Sequence, residues 1–548
     1  MTMKKVFLIC ILVLAAFLRL YNLTALPDIN ADEAAIGYNA YSILQTGKDE
    51  HGNPFPIHFQ SFGDYKPGLY FYIVVPFVSI LGLNDLAVRL PGAILGIGTV
   101  FLVWLLARRL FPKIGWFPEV AALFLAISPW HIHFSRGGWE VNAAGFFIIF
   151  GVWSFIKGLE EKKWFYASIA LFIASLYTYH AARIITPLLI SVLFWVYREK
   201  LLWVKQKFVL QKKVLIWAAV GIFLTIPLLI DFVGPAGLSR ASGVGLFADE
   251  GPFWKANEQR GEHDNIHGKL AVFLHNRPLN YGIAFFENYA KHFDGKFLFF
   301  LGDEIQRDKV PRFGQMYLID LIFLLIGFIF ITRNFSRWKI IIAWLIFAPI
   351  PAALTFQSPH ALRAQSMVIP LVMISAYGAV ILFSWLSNHI KPKLLLFSCY
   401  LVLITFLFWD FTRYLHEYHV YMAKTYNFSS QYGVKELVEY IKKDGEQFSQ
   451  IIVTDRYDQP YILFLFYMKY PPDKFQGDHT LTPRDKFGFS TVRGFDKYKF
   501  LSVNWDEMRN LRDTILVGAP NEINDIDANI TKRIYFPSGD VAFEIVPL

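Results

Sequence analysis

The chain has 548 residues, 55% of them hydrophobic and 18% aromatic, and it carries a formal net charge of +9. Long apolar runs recur along most of it, which excludes an ordinary water-soluble domain, and the basic excess sits in short loops between those runs, which reads as membrane orientation and not as nucleic-acid binding. Two cysteines, Cys10 and Cys399, both fall inside apolar runs, so neither a disulfide framework nor thiol chemistry is expected.

Eleven apolar runs are candidate membrane spans, most of them about 15–24 residues long and some short for a span. They are residues 6–20, 90–106, 120–131, 141–156, 164–179, 184–197, 214–230, 317–331, 340–354, 365–386 and 394–409. The first could pass for a signal peptide. Its cleavage site is poor and Arg19 closes it, which predicts an uncleaved first span. A further run, 68–83, is interrupted by Pro76. The basic clusters at Lys4/Lys5, Arg108/Arg109/Lys113, Lys157/Lys162/Lys163, Arg198 to Lys213, Arg333/Arg337/Lys339 and Lys391/Lys393 decide its placement. All of them fall on the cytoplasmic side only if residues 68–83 form an interfacial or re-entrant helix. The expected architecture is therefore a polytopic α-helical membrane protein of about eleven spans, with the N-terminus inside the cell and the C-terminus outside.

The chemistry-bearing residues then face outward. Loop 22–89 carries Asp32, Glu33, Asp64, Tyr65, Lys66 and, at its end, Arg89. The next outer loop holds Arg136 and Glu140, and a short pinch follows at Arg183. Loop 231–316 contains His263, Asp264, His267 and Asp303, and the last outer loop contains His360 and Arg363. From residue 411 apolar runs shorten and charge rises. Residues 434–443 predict an amphipathic helix, 450–454 and 514–517 buried strands, and 533–536 with 542–546 a hairpin. Two domains are expected: a membrane domain, 1–410, and an extracytoplasmic soluble α/β domain, 411–548.

Each candidate has a plainer reading. Asp32 and Glu33 suit a wet loop just past the first span. Lys66 and Arg89 suit snorkelling at the lipid headgroups, and Arg136 with Glu140 suits a local ion pair. Arg183 is hemmed in by apolar sequence, so its guanidinium needs an anion or water. His360 and Arg363, three apart, share one face at a helix start, where anions are favoured. His263 and His267 have the spacing of half a zinc site, without an evident third ligand.

Taken together, these residues resemble the GT-C superfamily of membrane glycosyltransferases. Within it they are similar to family 39, which includes the protein O-mannosyltransferases and the aminoarabinose transferases of lipid A. The resemblance runs from residue 1 to 409. It rests on Asp32-Glu33 after the first span, Tyr65-Lys66-Pro67, Ala87-Val88-Arg89-Leu90-Pro91, Ser128-Pro129 through Arg136, and His360 to Arg363. It implies transfer of a sugar, with inversion, from a polyprenyl-phosphate donor to a hydroxyl of a lipid, glycan or protein acceptor outside the cytoplasm. It also implies that Asp32 and Glu33 are catalytic, and that Lys66, Arg89, Arg136, Arg183, His360 and Arg363 bind the donor phosphate. Tyr65, Glu140 and Asp303 are expected to contact substrate. Glu140 stands where metal-dependent relatives carry an acidic pair, so no metal or other cofactor is expected. Two other readings compete: a flippase for lipid-linked sugars, and a non-catalytic envelope protein whose outer domain binds glycans.

Overall fold

The computed structural model describes residues 2–207, 212–233, 243, 245–485, 489–524 and 526–548. The basic cluster from Arg198 to Lys213 and the start of loop 231–316 lie partly outside those residues. Among the described residues, five helices are long and apolar enough to cross a membrane: Asp85–Leu110, Glu140–Gly158, Phe335–Ala353, Gln365–His389 and Lys393–Thr425. The chain is a multi-pass membrane protein. The other expected runs are also helical, but shorter or more charged. Met3–Leu20, for example, includes Lys4, Lys5 and Arg19. The run at 120–131 is not continuous: Phe117–Ile127 ends at Ser128, and Pro129 opens a second helix to Arg136. The residue before a proline is pushed out of the helical region, which explains the break. The interrupted run 68–83 forms Leu69–Leu81, only 13 residues. That is short of the roughly 20 residues a span requires.

The chain divides into two compact units. The first contains residues 1–19, 94–135 and 140–414. Its helices pack closely where side chains are small. A Cβ at Gly378 would lie only 1.8 Å from the Phe323 carbonyl oxygen, and one at Gly327 2.4 Å from that of Ile374. Helices Leu318–Arg333 and Val368–His389 therefore meet backbone to backbone, as small residues allow in membranes. Arg19 is fully buried in this unit. Its guanidinium donates to the carbonyls of Leu125 (3.3 Å) and Ala126 (3.0 Å), near the C-terminus of helix Phe117–Ile127, where a cation is favoured.

The second unit contains residues 20–93, 136–139 and 415–548. A hairpin joins β1 (His58–Ser61) to β2 (Asp64–Pro67). Six further strands are β3 (Gln450–Thr454), β4 (Gly494–Phe495), β5 (Tyr498–Leu501), β6 (Thr514–Gly518), β7 (Lys532–Tyr535) and β8 (Val541–Pro547). They form one sheet in the order β4-β5-β3-β6-β8-β7. Strand β3 runs parallel to β5 and β6, and the remaining pairs are antiparallel. Helix Val434–Asp444 buries Val434, Leu437, Val438 and Ile441, one apolar stripe at helical spacing. The strands expected at 450–454 and 514–517 and the hairpin after 533 all form.

Candidate active site

Asp32 does not lie in a wet loop. It sits in the first turn of helix Ala31–Thr46, for which Asn30 is the N-cap. The Asn30 side chain accepts from the Glu33 N–H (3.1 Å), and Glu33 Oε2 accepts from the Asn30 N–H (3.3 Å). This reciprocal pair is a capping box, and its signature, Asn-x-x-Glu, is present in the sequence. Two acids in the first turn also face the positive end of the helix dipole. The C-terminal part of the same unit fixes this helix start. The Ala31 N–H donates to Gln431 Oε1 at 2.6 Å, and Gln431 Nε2 donates to the Asp458 carbonyl.

Lys66 meets Asp32 from the hairpin. Its Nζ lies 2.5 Å from Asp32 Oδ1. It belongs to β2, paired across from Phe59, and not to the helix that starts at Leu69. The turn between the strands is Phe62-Gly63, both with positive φ (57° and 76°). That geometry suits a two-residue hairpin and strains a phenylalanine. Partners from the C-terminal part hold it: the Ser490 N–H donates to the Phe62 carbonyl at 2.8 Å, and Arg484 donates to that of Gly63. The Asp32 and Lys66 side chains keep 19% and 15% of their surface exposed. Tyr65, beside Lys66, is half-buried.

Glu33, one residue on, has a different setting. Arg89 Nε donates to Glu33 Oε1 and Nη2 to Oε2, both at 2.7 Å. The Gly138 N–H also donates to Oε1 at 2.8 Å. Both side chains of the pair are 1% exposed. The remaining Arg89 donors reach the carbonyls of Leu23 (3.1 Å), Pro27 (2.7 Å) and Asp28 (3.0 Å). All five guanidinium N–H groups are thus used inside the protein. The expectation that Arg89 binds a phosphate does not fit this geometry, and neither does a substrate-facing Glu33. The pair staples loop 22–30 to the helix. Arg136 has a similar place: buried, it donates to Tyr418 Oη (3.1 Å) and to the carbonyls of Tyr21 (2.8 Å) and Asn22 (3.2 Å).

The other candidates belong to the first unit. Arg183 is half-buried at the start of helix Ala182–Lys207, with Nε 3.4 Å from the Leu176 carbonyl. Glu140 is buried at the start of helix Glu140–Gly158. Arg363 is half-buried and donates to Thr355 Oγ1 at 2.7 Å. The ring of His360 lies between two buried carboxylates, with Nδ1 3.6 Å from Asp303 Oδ2 and 3.5 Å from Asp308 Oδ2. Burial pushes the Asp303 carboxyl up to about 6. Among the described residues, Asp303, Asp308 and His360 form the group able to hold a metal ion, and His263 and His267 are not in it. Asp308 carried no local sequence signal.

The family model for dolichyl-phosphate-mannose-protein mannosyltransferases matches residues 65–230. The fold agrees with it. ArnT from Cupriavidus metallidurans, in the apo state, superposes with a TM-score of 0.54 at 12% identity, over 99% of this chain and 98% of that one. The chain is similar to the GT-C membrane glycosyltransferases, and within them to family 39. ArnT bound to undecaprenyl phosphate gives a TM-score of 0.50 at 12% identity, over 99% and 97%. The archaeal oligosaccharyltransferase AglB from Archaeoglobus fulgidus, in complex with an inhibitory peptide and a dolichol-phosphate, gives 0.50 at 13% identity, over 85% of this chain. In sequence, YkcB of Bacillus subtilis (strain 168), which bears a mannosyltransferase name, is 26% identical over 169 residues, 30% of this chain. The chain spans 22% of the length of YkcB and 63% of that of AglB in these matches.

Proposed function

We propose that the chain transfers a hexosyl or pentosyl group from a polyprenyl-phosphate donor to an acceptor hydroxyl at the outer face of the membrane, with inversion. The observation that carries this reading is the Asp32–Lys66 pair: a partly accessible carboxylate and ammonium, held by a capped helix and a braced hairpin. Its support is the match to a mannosyltransferase family model and the lipid phosphates named in the ArnT and AglB structures. The acceptor oxygen attacks the anomeric carbon while Asp32 takes its proton. The bond from that carbon to the phosphate oxygen breaks, and the polyprenyl phosphate leaves with the electron pair. A cation near the departing phosphate stabilises its growing charge. Lys66, Arg183 and Arg363 are the proposed phosphate ligands, and Tyr65 and Glu140 the proposed substrate contacts. The acceptor is a lipid, glycan or protein.

In this reading the chain crosses the membrane about eleven times, the N-terminus is cytoplasmic, and the C-terminal α/β part is extracytoplasmic. There it braces the helix of Asp32 through Gln431. A thin-layer assay with radiolabelled polyprenyl-phosphate sugar tests the activity. Purified protein in the presence of cell-envelope acceptors should consume the donor and release unlabelled polyprenyl phosphate. Intact donor after prolonged incubation, with label moved only between leaflets, would favour the flippase instead.

A further inference from the structure

We propose that Asp303, Asp308 and His360 bind one divalent transition-metal ion of the zinc or manganese class, which ties the segment before helix Leu318–Arg333 to the segment before helix Gln365–His389. The three ligand atoms lie within 4.8 Å of one another. His360 Nδ1 stands 3.5 Å and 3.6 Å from one oxygen of each aspartate. These distances are too long for hydrogen bonds. They match the edge of a tetrahedron, about 3.4 Å, that follows from metal–ligand bonds of about 2.1 Å.

The setting favours a cation. Both aspartate side chains are 0% exposed and the histidine 5%. Two buried carboxylates side by side are costly unless positive charge sits with them, and an ion would add to what Lys309 and Arg363 already supply at Asp303. Hydrogen bonds from behind fix the Asp303 carboxylate and the backbone at His360, as outer-shell partners of metal ligands do. Asp303 Oδ1 accepts from the Ile305 N–H at 2.9 Å, and Oδ2 accepts from the Ala361 N–H. The His360 N–H donates to His292 Nε2 at 3.2 Å. His292 is set as an acceptor because its Nδ1–H donates to the Asn288 carbonyl at 2.9 Å. On either side of the cluster, Trp130 Nε1 donates to the Ala361 carbonyl (3.1 Å) and His133 Nε2 to that of Arg307 (2.9 Å).

The donor set selects the class of ion. An imidazole with two carboxylates suits zinc or manganese, whereas magnesium and calcium sites are built from oxygen alone. Three protein ligands leave a further position for water. Arg363 follows His360 by three residues, so an ion here fixes the backbone from which that arginine projects. The site stands whether or not the chain transfers sugar.

The test is a zinc titration, followed by calorimetry, of full-length protein stripped with chelator in detergent. One equivalent should bind with at least micromolar affinity and raise Tm, and manganese should compete for it. Asp308→Asn and His360→Gln should each weaken binding by at least the roughly 10–100-fold that losing even an outer-shell partner costs. A variant with both His263 and His267 changed to Ala should bind as wild type does. No bound equivalent in wild-type protein, or unchanged affinity in both ligand variants, overturns the proposal. Should those variants fail to fold, X-ray absorption of zinc-loaded wild type decides. One imidazole with oxygen neighbours supports the site, and a shell without imidazole, or with two, contradicts it.

Discussion

Asp32 and Glu33 are adjacent in sequence and opposite in circumstance. Asp32 meets a lysine in a partly accessible pair on a hairpin, and Glu33 meets an arginine in a sealed one. The first carboxylate keeps 19% of its surface exposed. The second accepts from Arg89 and from the Gly138 and Asn30 N–H groups, which makes it a staple. Adjacency in a motif therefore does not imply a shared role. The helix separates them, since consecutive residues point about 100° apart around its axis.

The sharpest way to break this comparison is Asp32→Asn, which keeps size and removes basicity. Turnover should fall by about 10²–10⁴-fold, the usual weight of general-base catalysis, with Tm nearly unchanged. Steady-state assays beside a thermal melt check both halves. Glu33→Gln should behave in the reverse way. Removing one charge of a buried pair costs about 3–5 kcal/mol, because the Arg89 guanidinium is left without its counter-charge. Thermal or chaotrope unfolding of the variant reads that loss. A Glu33→Gln protein as stable as wild type would mean that the pair is not a staple.

Lys66→Ala sharpens the accessible side. If the ammonium also binds donor phosphate, donor affinity should weaken by about 1.5–3 kcal/mol, the range for a charge-assisted contact. Titration with a fluorescent polyprenyl-phosphate analogue measures it, and unchanged affinity removes the phosphate role while leaving Asp32 untouched.

A smaller effect comes from Glu50, four residues beyond the end of the helix that carries both acids. Burial raises its carboxyl from 4.5 to about 8. The folded state thus holds a proton that the unfolded chain releases. This contribution to stability is present below pH 4.5 and is lost as pH rises toward 8, at up to about 1.4 kcal/mol per unit. His51, lowered by burial to about 3, acts in the opposite sense below pH 6.5. Comparison with Glu50→Gln isolates the glutamate: wild type should lose Tm relative to the variant between pH 5 and 8. Parallel pH profiles would contradict the assignment.

Much of the C-terminal sheet was legible in the sequence because its strands are short apolar runs between turn residues. The strand at 450–454 and the hairpin after 533 need only local pattern. The membrane helices were legible for the same reason, from hydropathy alone. The site was less so. The capping box at Asn30 and Glu33 was written in the sequence, yet two acids beside a span suggest a loop. The hairpin that carries Lys66 turns at Phe62-Gly63, and a phenylalanine gives no turn signal. Asp303, Asp308 and His360 lie on segments more than fifty residues apart in part, and only the tertiary fold joins them. Composition divides the chain near residue 411, whereas contacts group residues 20–93 with 415–548. Hydropathy reports which segments meet lipid, and it carries no record of which loop braces another.

The measurement that bears most directly on the division of labour between these two acids takes Asp32→Asn and Glu33→Gln through one pair of assays, donor turnover per folded molecule and unfolding free energy. The account predicts a crossed result: Asp32→Asn loses turnover by at least about 100-fold with its stability kept, and Glu33→Gln loses stability while its folded fraction still turns over. Normal turnover in folded Asp32→Asn, with activity lost in folded Glu33→Gln, would contradict it and move the base to Glu33.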